Sequence, residues 1–146
     1  MKEPRVRIAG ILVENGKVLM IEQEKKGNRY WLLPGGGLDF GESFEECIKR
    51  EFMEEAGIEV ESEKLLFISE SIAPDNSRHI VNLYFKVVKK SGDIKIGDEE
   101  ILTAIKFIAA DELCNYTVYP NIKSELVNYI KNGCSGETRL IEGRWE

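Results

Sequence analysis

The sequence predicts a fold of the α/β class in its α+β form, a mixed β-sheet with a few helices packed on it. Three observations carry this reading. Strand-like runs outnumber helical ones, only two segments read as helices, and the order of elements is not a regular βαβ alternation.

The elements follow in order. Val6 to Val13 and Lys17 to Ile21 read as two strands joined at Glu14-Asn15-Gly16, a tight hairpin signal. Tyr30 to Leu33 is a short third strand, stopped by Pro34 and three glycines. A helix is expected from about Phe44 to Ala56. Leu65 to Ser71 and His79 to Val88 look like further strands, the second alternating through Ile80, Asn82, Tyr84 and Lys86. Ile105 to Ala109 is a late strand, and Tyr119 to Lys131 a closing helix. The tail Ser135 to Glu146 has no clear pattern. Its Leu140-Ile141 and Trp145 offer apolar surface for docking on the domain or on a second subunit, which leaves a homodimer open.

The 146 residues suit one domain, 1–146, without repeat, low-complexity tract or linker. A hydrophobic fraction of 42% is enough for a core, and 32% charged residues give a polar surface. The longest apolar run, Ile8 to Val13, is far below the ~18–20 residues of a bilayer span. No signal-peptide core follows the charged start Met1-Lys-Glu-Pro-Arg, so a cytoplasmic location and no membrane partner are expected. Cys47, Cys114 and Cys134 form no Cys-x-x-Cys pair and read as reduced, structural thiols. His79 is the sole histidine, which excludes a histidine-rich metal centre. A net charge of −6 argues against a nucleic-acid polymer as partner. A small anionic ligand remains admissible if cations or metal ions assist locally.

The central helix is the most informative segment. Ser43-Phe44-Glu45-Glu46 fits a capping box, and Gly57 is placed to end the helix in the left-handed conformation. With both ends specified locally, the register between them is set. At about 100° per residue, Glu54 falls near −60° and Glu55 near +40° from Glu51. Phe44, Cys47, Ile48 and Phe52 share that side. The acidic cluster therefore overlaps the apolar stripe instead of opposing it, the wrong pattern for an ordinary surface helix. Like charges at these spacings repel, more so near a buried face, and a bound divalent cation is the simplest compensation. A solvated acidic patch is the bland alternative. The glycines 35–37 before the helix let the backbone approach a ligand closely, though three glycines also serve a plain turn.

Together the segment runs Gly36, five residues, Glu42, seven residues, then Arg50-Glu51-Phe52-Met53-Glu54-Glu55-Ala56-Gly57-Ile58. This resembles the Nudix box of the Nudix hydrolase (MutT-type) family at each specified position, with Phe52 where the family more often has an aliphatic residue. The flanks resemble the family too, in Leu33-Pro34 before the glycines and in Lys106-Phe107-Ile108 leading to Asp111-Glu112-Leu113.

The resemblance implies an α-β-α sandwich with a mixed sheet, and a hydrolase of nucleoside diphosphates linked to another group. By motif position, Glu51, Glu54 and Glu55 would bind Mg²⁺, or Mn²⁺ as substitute, with the Gly36 carbonyl as a further ligand. Arg50 and Glu42 would pair to orient the glutamates, and Gly57 would support the helix end. Many relatives add a distal acid from a later loop, and Glu100 is preferred narrowly over Glu99. Glu51 or Glu54 would act as general base in an in-line attack by metal-activated water. A pocket is expected between the early strands and the loop Ser71 to Arg78. Arg29, Tyr30 and Arg78 are candidate substrate contacts, with Trp31, Arg7 and Lys25 beside them. A (deoxy)nucleoside triphosphate, split to monophosphate and pyrophosphate, is the first substrate reading. ADP-ribose or a nucleotide sugar is the second, and a non-catalytic nucleotide sensor on the same fold is the alternative of another class. Pro74 does not decide between them.

Overall fold

The computed structural model describes residues 2–142. The elements are β1 (Arg5–Ile11), β2 (Val13–Glu14), β3 (Lys17–Lys25), β4 (Asn28–Leu32), β5 (Gly35–Gly37), α1 (Phe44–Ala56), β6 (Glu59–Ile72), β7 (His79–Ser91), β8 (Leu102–Ala109), a 3-10 turn (Ala110–Asn115), α2 (Lys123–Lys131) and β9 (Arg139–Ile141).

The strands form two sheets. One runs β5-β1-β7-β6-β9 and is mixed: β1 lies parallel to β7 and β9 parallel to β6, while β5–β1 and β6–β7 are antiparallel. In the other, β3 pairs antiparallel with β2 and β4 and also with β8. The expected single strand from Val6 to Val13 is thus divided at Leu12. Its first part enters one sheet, and only Val13-Glu14 makes the hairpin, across Asn15 and Gly16 at φ 53° and 74°. Both turn residues adopt the positive φ of a two-residue hairpin.

Alternation along the strands feeds two cores. Ile8, Leu19 and Val87 face Cys47, Ile48 and Phe52 of α1. Ala9, Met20 and Tyr84 face Leu126 and Tyr129 of α2. The two helices therefore cover opposite faces, giving the mixed α+β architecture with a helix layer on each side.

The central helix runs Phe44–Ala56 as expected. Ser43 Oγ accepts from the Glu46 N–H, and the Glu46 carboxylate accepts from the Ser43 N–H, closing both halves of the capping box. Gly57 caps the other end at φ 69°. The closing helix is shorter than expected: Tyr119 and Pro120 precede it, and α2 starts at Lys123. Proline favours an extended residue before it, which keeps Tyr119 out of helix. Two strands escape a reading based on pattern. Glycines 35–37 form β5, and Leu140 and Ile141 dock on Ile68 and Ser69 as β9. Trp145, offered as a docking residue, lies outside the described residues. Among the described residues no helix is long and apolar enough to cross a membrane.

Candidate active site

Helix α1 places its three glutamates unequally. Glu51 and Glu55 are 8% and 3% exposed, on the face that carries Cys47, Ile48 and Phe52. Glu54 turns outward, its side chain 47% exposed. The overlap of acidic and apolar faces is real for two of the three acids. Phe44 departs from the wheel's expectation, being 45% exposed while its ring tilts against Phe85 at 5.7 Å.

Strand β5 explains how buried acids can serve a site. A Cβ on Gly36 would lie 2.4 Å from Glu51 Oε1, so no other residue could stand there without displacing the carboxylate. The Gly35 N–H donates to Glu55 Oε1 at 2.8 Å. A strand without side chains thus lets carboxylates from one side of the sheet meet whatever lies against its edge. Burial, reinforced by the nearby charge of Glu51, pushes the Glu55 carboxyl up to about 8, against the Gly35 hydrogen bond. Burial also raises Glu51, while Arg50 opposes it.

Arg50 organises the acids. Its Nε and Nη2 donate to Glu42 Oε2 and Oε1 at 2.7 and 3.0 Å, and Nη1 donates to Glu51 Oε1 at 2.7 Å. Nη1 also stands 3.5 Å from Glu54 Oε2, and Nη2 reaches the Gly37 carbonyl at 3.3 Å. Glu42 is held down to about 2, chiefly by the Arg50 hydrogen bond and next by the Asp39 N–H. A bidentate fork of this kind fixes orientation as well as charge.

The C-terminal carbonyls of α1 are met by the segment after β7. The Lys95 N–H donates to the Ala56 carbonyl at 2.9 Å and the Gly97 N–H to that of Glu55 at 3.0 Å. This strap brings Asp98 and Glu99 into a shared hollow with Glu54, and the charge of Glu99 bears on Glu55. Glu100 is exposed and does not line that hollow.

The donor set fits a hard divalent cation. Glu51, Glu54, Glu55 and backbone carbonyls are all oxygen ligands, which suit Mg²⁺ and Mn²⁺. A cation would also relieve the burial of two like charges beside each other. Among the described residues, however, no three acids, cysteines or histidines are already gathered around one point, because Glu54 faces outward with Arg50 between it and Glu51.

Next to β5 a cleft of about 470 Å³ opens between the two sheets. Among the described residues its walls include Arg5, Arg7, Lys25 and Arg78 but no Asp or Glu, in a chain of net charge −6. Such a local concentration of positive charge draws in a small anion. Tyr30 and Arg78 line the cleft as expected, with Tyr119 edge-on to Tyr30 at 5.3 Å. Arg29 is not among the lining residues; it pairs with Glu24 at 3.2 Å on the surface. Trp31 is buried in the core, with Lys106 Nζ 5.3 Å from its ring. Arg5, Gln23, Asn82 and Tyr119 also line the cleft, with no motif in the sequence to announce them. For Arg5 a signal existed, since it repeats with Arg7 at the two-residue spacing of one strand face.

The chain matches the family model of the NUDIX domain over residues 1–130. It is 32% identical over 99 residues to an ADP-ribose pyrophosphatase of Methanocaldococcus jannaschii, covering 66% of this chain and 57% of that protein. It is 36% identical over 109 residues to a MutT-like protein of Streptomyces ambofaciens, covering 74% and 66%. The match thus spans less than two thirds of either relative. Among solved structures, a MutT NUDIX hydrolase of Burkholderia pseudomallei superposes with a TM-score of 0.73 at 25% identity, over 87% of this chain and 98% of that one. An ADP-ribose pyrophosphatase of Streptococcus suis gives 0.74 at 23% identity, over 95% and 100%, a likeness of fold.

Proposed function

This chain belongs to the Nudix hydrolase family, and from that membership we propose that it is a divalent-metal-dependent pyrophosphohydrolase acting on a nucleoside diphosphate linked to a further group. One observation carries the reading. Buried Glu51 and Glu55 meet the edge of a side-chain-free strand, beside a cleft whose charged lining among the described residues is cationic. The acids suit metal, and the cleft suits a small nucleotide.

Glu51, Glu54 and Glu55 would hold the cation, with the Gly36 carbonyl beside them. Glu99, from the strapped segment, takes the distal position in place of Glu100, since it shares the hollow with Glu54. A divalent cation held there would supply Lewis-acid chemistry, offsetting diphosphate charge and making water more acidic. Arg50 and Glu42 hold Glu51 in its rotamer through their shared hydrogen bonds. Glu51 or Glu54 accepts the proton of the attacking water at a carboxylate oxygen. Lys25 and Arg78 hold the phosphates from the cleft side.

A (deoxy)nucleoside triphosphate split to monophosphate and pyrophosphate is the first substrate reading. ADP-ribose is the second, favoured by the names of two similar proteins. The deciding experiment measures product release from NTPs, dNTPs, ADP-ribose and diadenosine polyphosphates with Mg²⁺ or Mn²⁺. Glu54→Gln should abolish turnover while leaving the fold intact. Near-wild-type turnover in that variant would refute the metal assignment. Binding of nucleotides with no turnover on any substrate would make the chain a sensor instead.

A further inference from the structure

Two residues on the wall of the cleft remain unused by the chemistry above. Arg7 on β1 and Asn82 on β7 are direct partners across the parallel pairing, and both line the cleft. Asn82 is 1% exposed. Neither its Nδ2 nor its Oδ1 has a hydrogen-bond partner among the described residues, and neither has Arg7 Nη1. Arg7 uses Nη2 on the Leu33 carbonyl at 2.9 Å. Buried polar side chains are nearly always paired. Both ends of one amide left unpaired, beside an unpaired guanidinium N–H, mark a place for a partner from outside the chain.

The partner's chemistry is constrained. The amide nitrogen of Asn82 needs an acceptor, its oxygen needs a donor, and Arg7 adds a second N–H. A phosphate or carboxylate offers acceptors alone and would set its lone pairs against Asn82 Oδ1. The group that fits carries a donor beside acceptors, as the edge of a nucleobase does in one plane. Sugar hydroxyls share that capacity, but the rings of Tyr30 and Tyr119 in the same cleft favour a planar base. The position agrees. Gly37, Arg7 and Asn82 are successive partners across β5, β1 and β7. Two strand spacings place the Asn82 backbone roughly 10 Å from the glycine strand where the acids gather. That distance suits a base held away from the reacting diphosphate.

We propose that Arg7 and Asn82 hydrogen-bond the donor–acceptor edge of the substrate's nucleobase, with Asn82 the residue that determines base preference. This rests on the nucleotide reading above. Because the amide atoms are sealed from water, the base reaches them only as cleft side chains move aside, and rotamer changes of that kind are common on binding.

The test is calorimetric titration of the full chain, without added metal, with AMP, GMP, CMP, UMP and ribose 5-phosphate. The wild type should separate the best base from the worst by about tenfold or more. Asn82→Leu, similar in volume but without polar atoms, should weaken the preferred nucleotide by roughly 10- to 100-fold. It should also shrink the spread among bases to about threefold or less and leave ribose 5-phosphate unchanged. Asn82→Asp keeps the shape, loses the donor and should reorder the preference; it carries the test alone if the leucine variant fails to fold by circular dichroism. The wild-type order and spread of bases retained in either folded variant, no discrimination in the wild type, or an equal loss for ribose 5-phosphate would overturn the proposal. Intact base discrimination in a protein that turns over no substrate would defeat the hydrolase reading and leave this contact standing.

Discussion

Arg50 grips Glu42 through both carboxylate oxygens, Nε to Oε2 at 2.7 Å and Nη2 to Oε1 at 3.0 Å, and with its remaining nitrogen holds Glu51 at 2.7 Å. One guanidinium therefore ties the loop before α1 to a buried acid within it. Lysine can supply the charge but not the planar fork. With Glu51 as the proposed metal ligand, Arg50→Lys should lower kcat by about 10- to 100-fold. The circular dichroism spectrum should change little.

The same pair predicts an acid limb of stability. Glu42 has its carboxyl pulled from an ordinary 4.5 to about 2 in the folded chain. A carboxylate depressed by folding contributes stability that is complete above its unfolded value and is lost as pH falls through its folded value. The contribution of Glu42 should therefore fade between about pH 4.5 and 2. In urea melts, the difference between wild type and Glu42→Gln should be largest near neutrality and shrink across that window. A constant difference from neutrality to pH 2 would contradict the pairing.

Two glycines with equally little room predict opposite phenotypes. A Cβ on Gly36 would meet Glu51 Oε1 at 2.4 Å, whereas one on Gly10 would meet the Phe52 ring at 2.4 Å. The first collision moves a carboxylate of the site and the second moves a fully buried core ring. Gly36→Ala should cost activity about 100-fold or more with the fold retained, since small misplacements of reacting groups are that expensive. Gly10→Ala should overpack the core and cost about 1–3 kcal/mol in denaturant melts.

The three thiols should react in order of access. Cys114 is exposed, Cys134 half-buried and Cys47 buried in the α1 core, where burial raises its thiol to about 12. A thiolate is the reactive form, so Cys47 should resist a disulfide reagent at neutral pH. Titration of the native chain should modify Cys114 first. Cys47 should become reactive only on unfolding, as followed by mass spectrometry of the labelled peptides.

Local chemistry made part of this molecule legible in the sequence. The ends of α1 were readable because Ser43, Glu46 and Gly57 satisfy backbone groups only three or four residues away. The Asn15-Gly16 hairpin was readable for the same reason. With the helix register set, the spacing of Glu42, Arg50, Glu51, Glu54 and Glu55 carried the family. Contacts between distant segments were decided by the tertiary structure. It divided Val6–Val13 between two sheets, turned the glycines into a strand and buried Glu51 and Glu55 while leaving Glu54 outside. It also set Arg7 beside Asn82, and brought Glu99, not Glu100, against α1. Each of these depends on which strands pair and in what register, and a one-residue slip would send every side chain to the other face. Such pairings join segments far apart in the chain, so no window along it contains both partners.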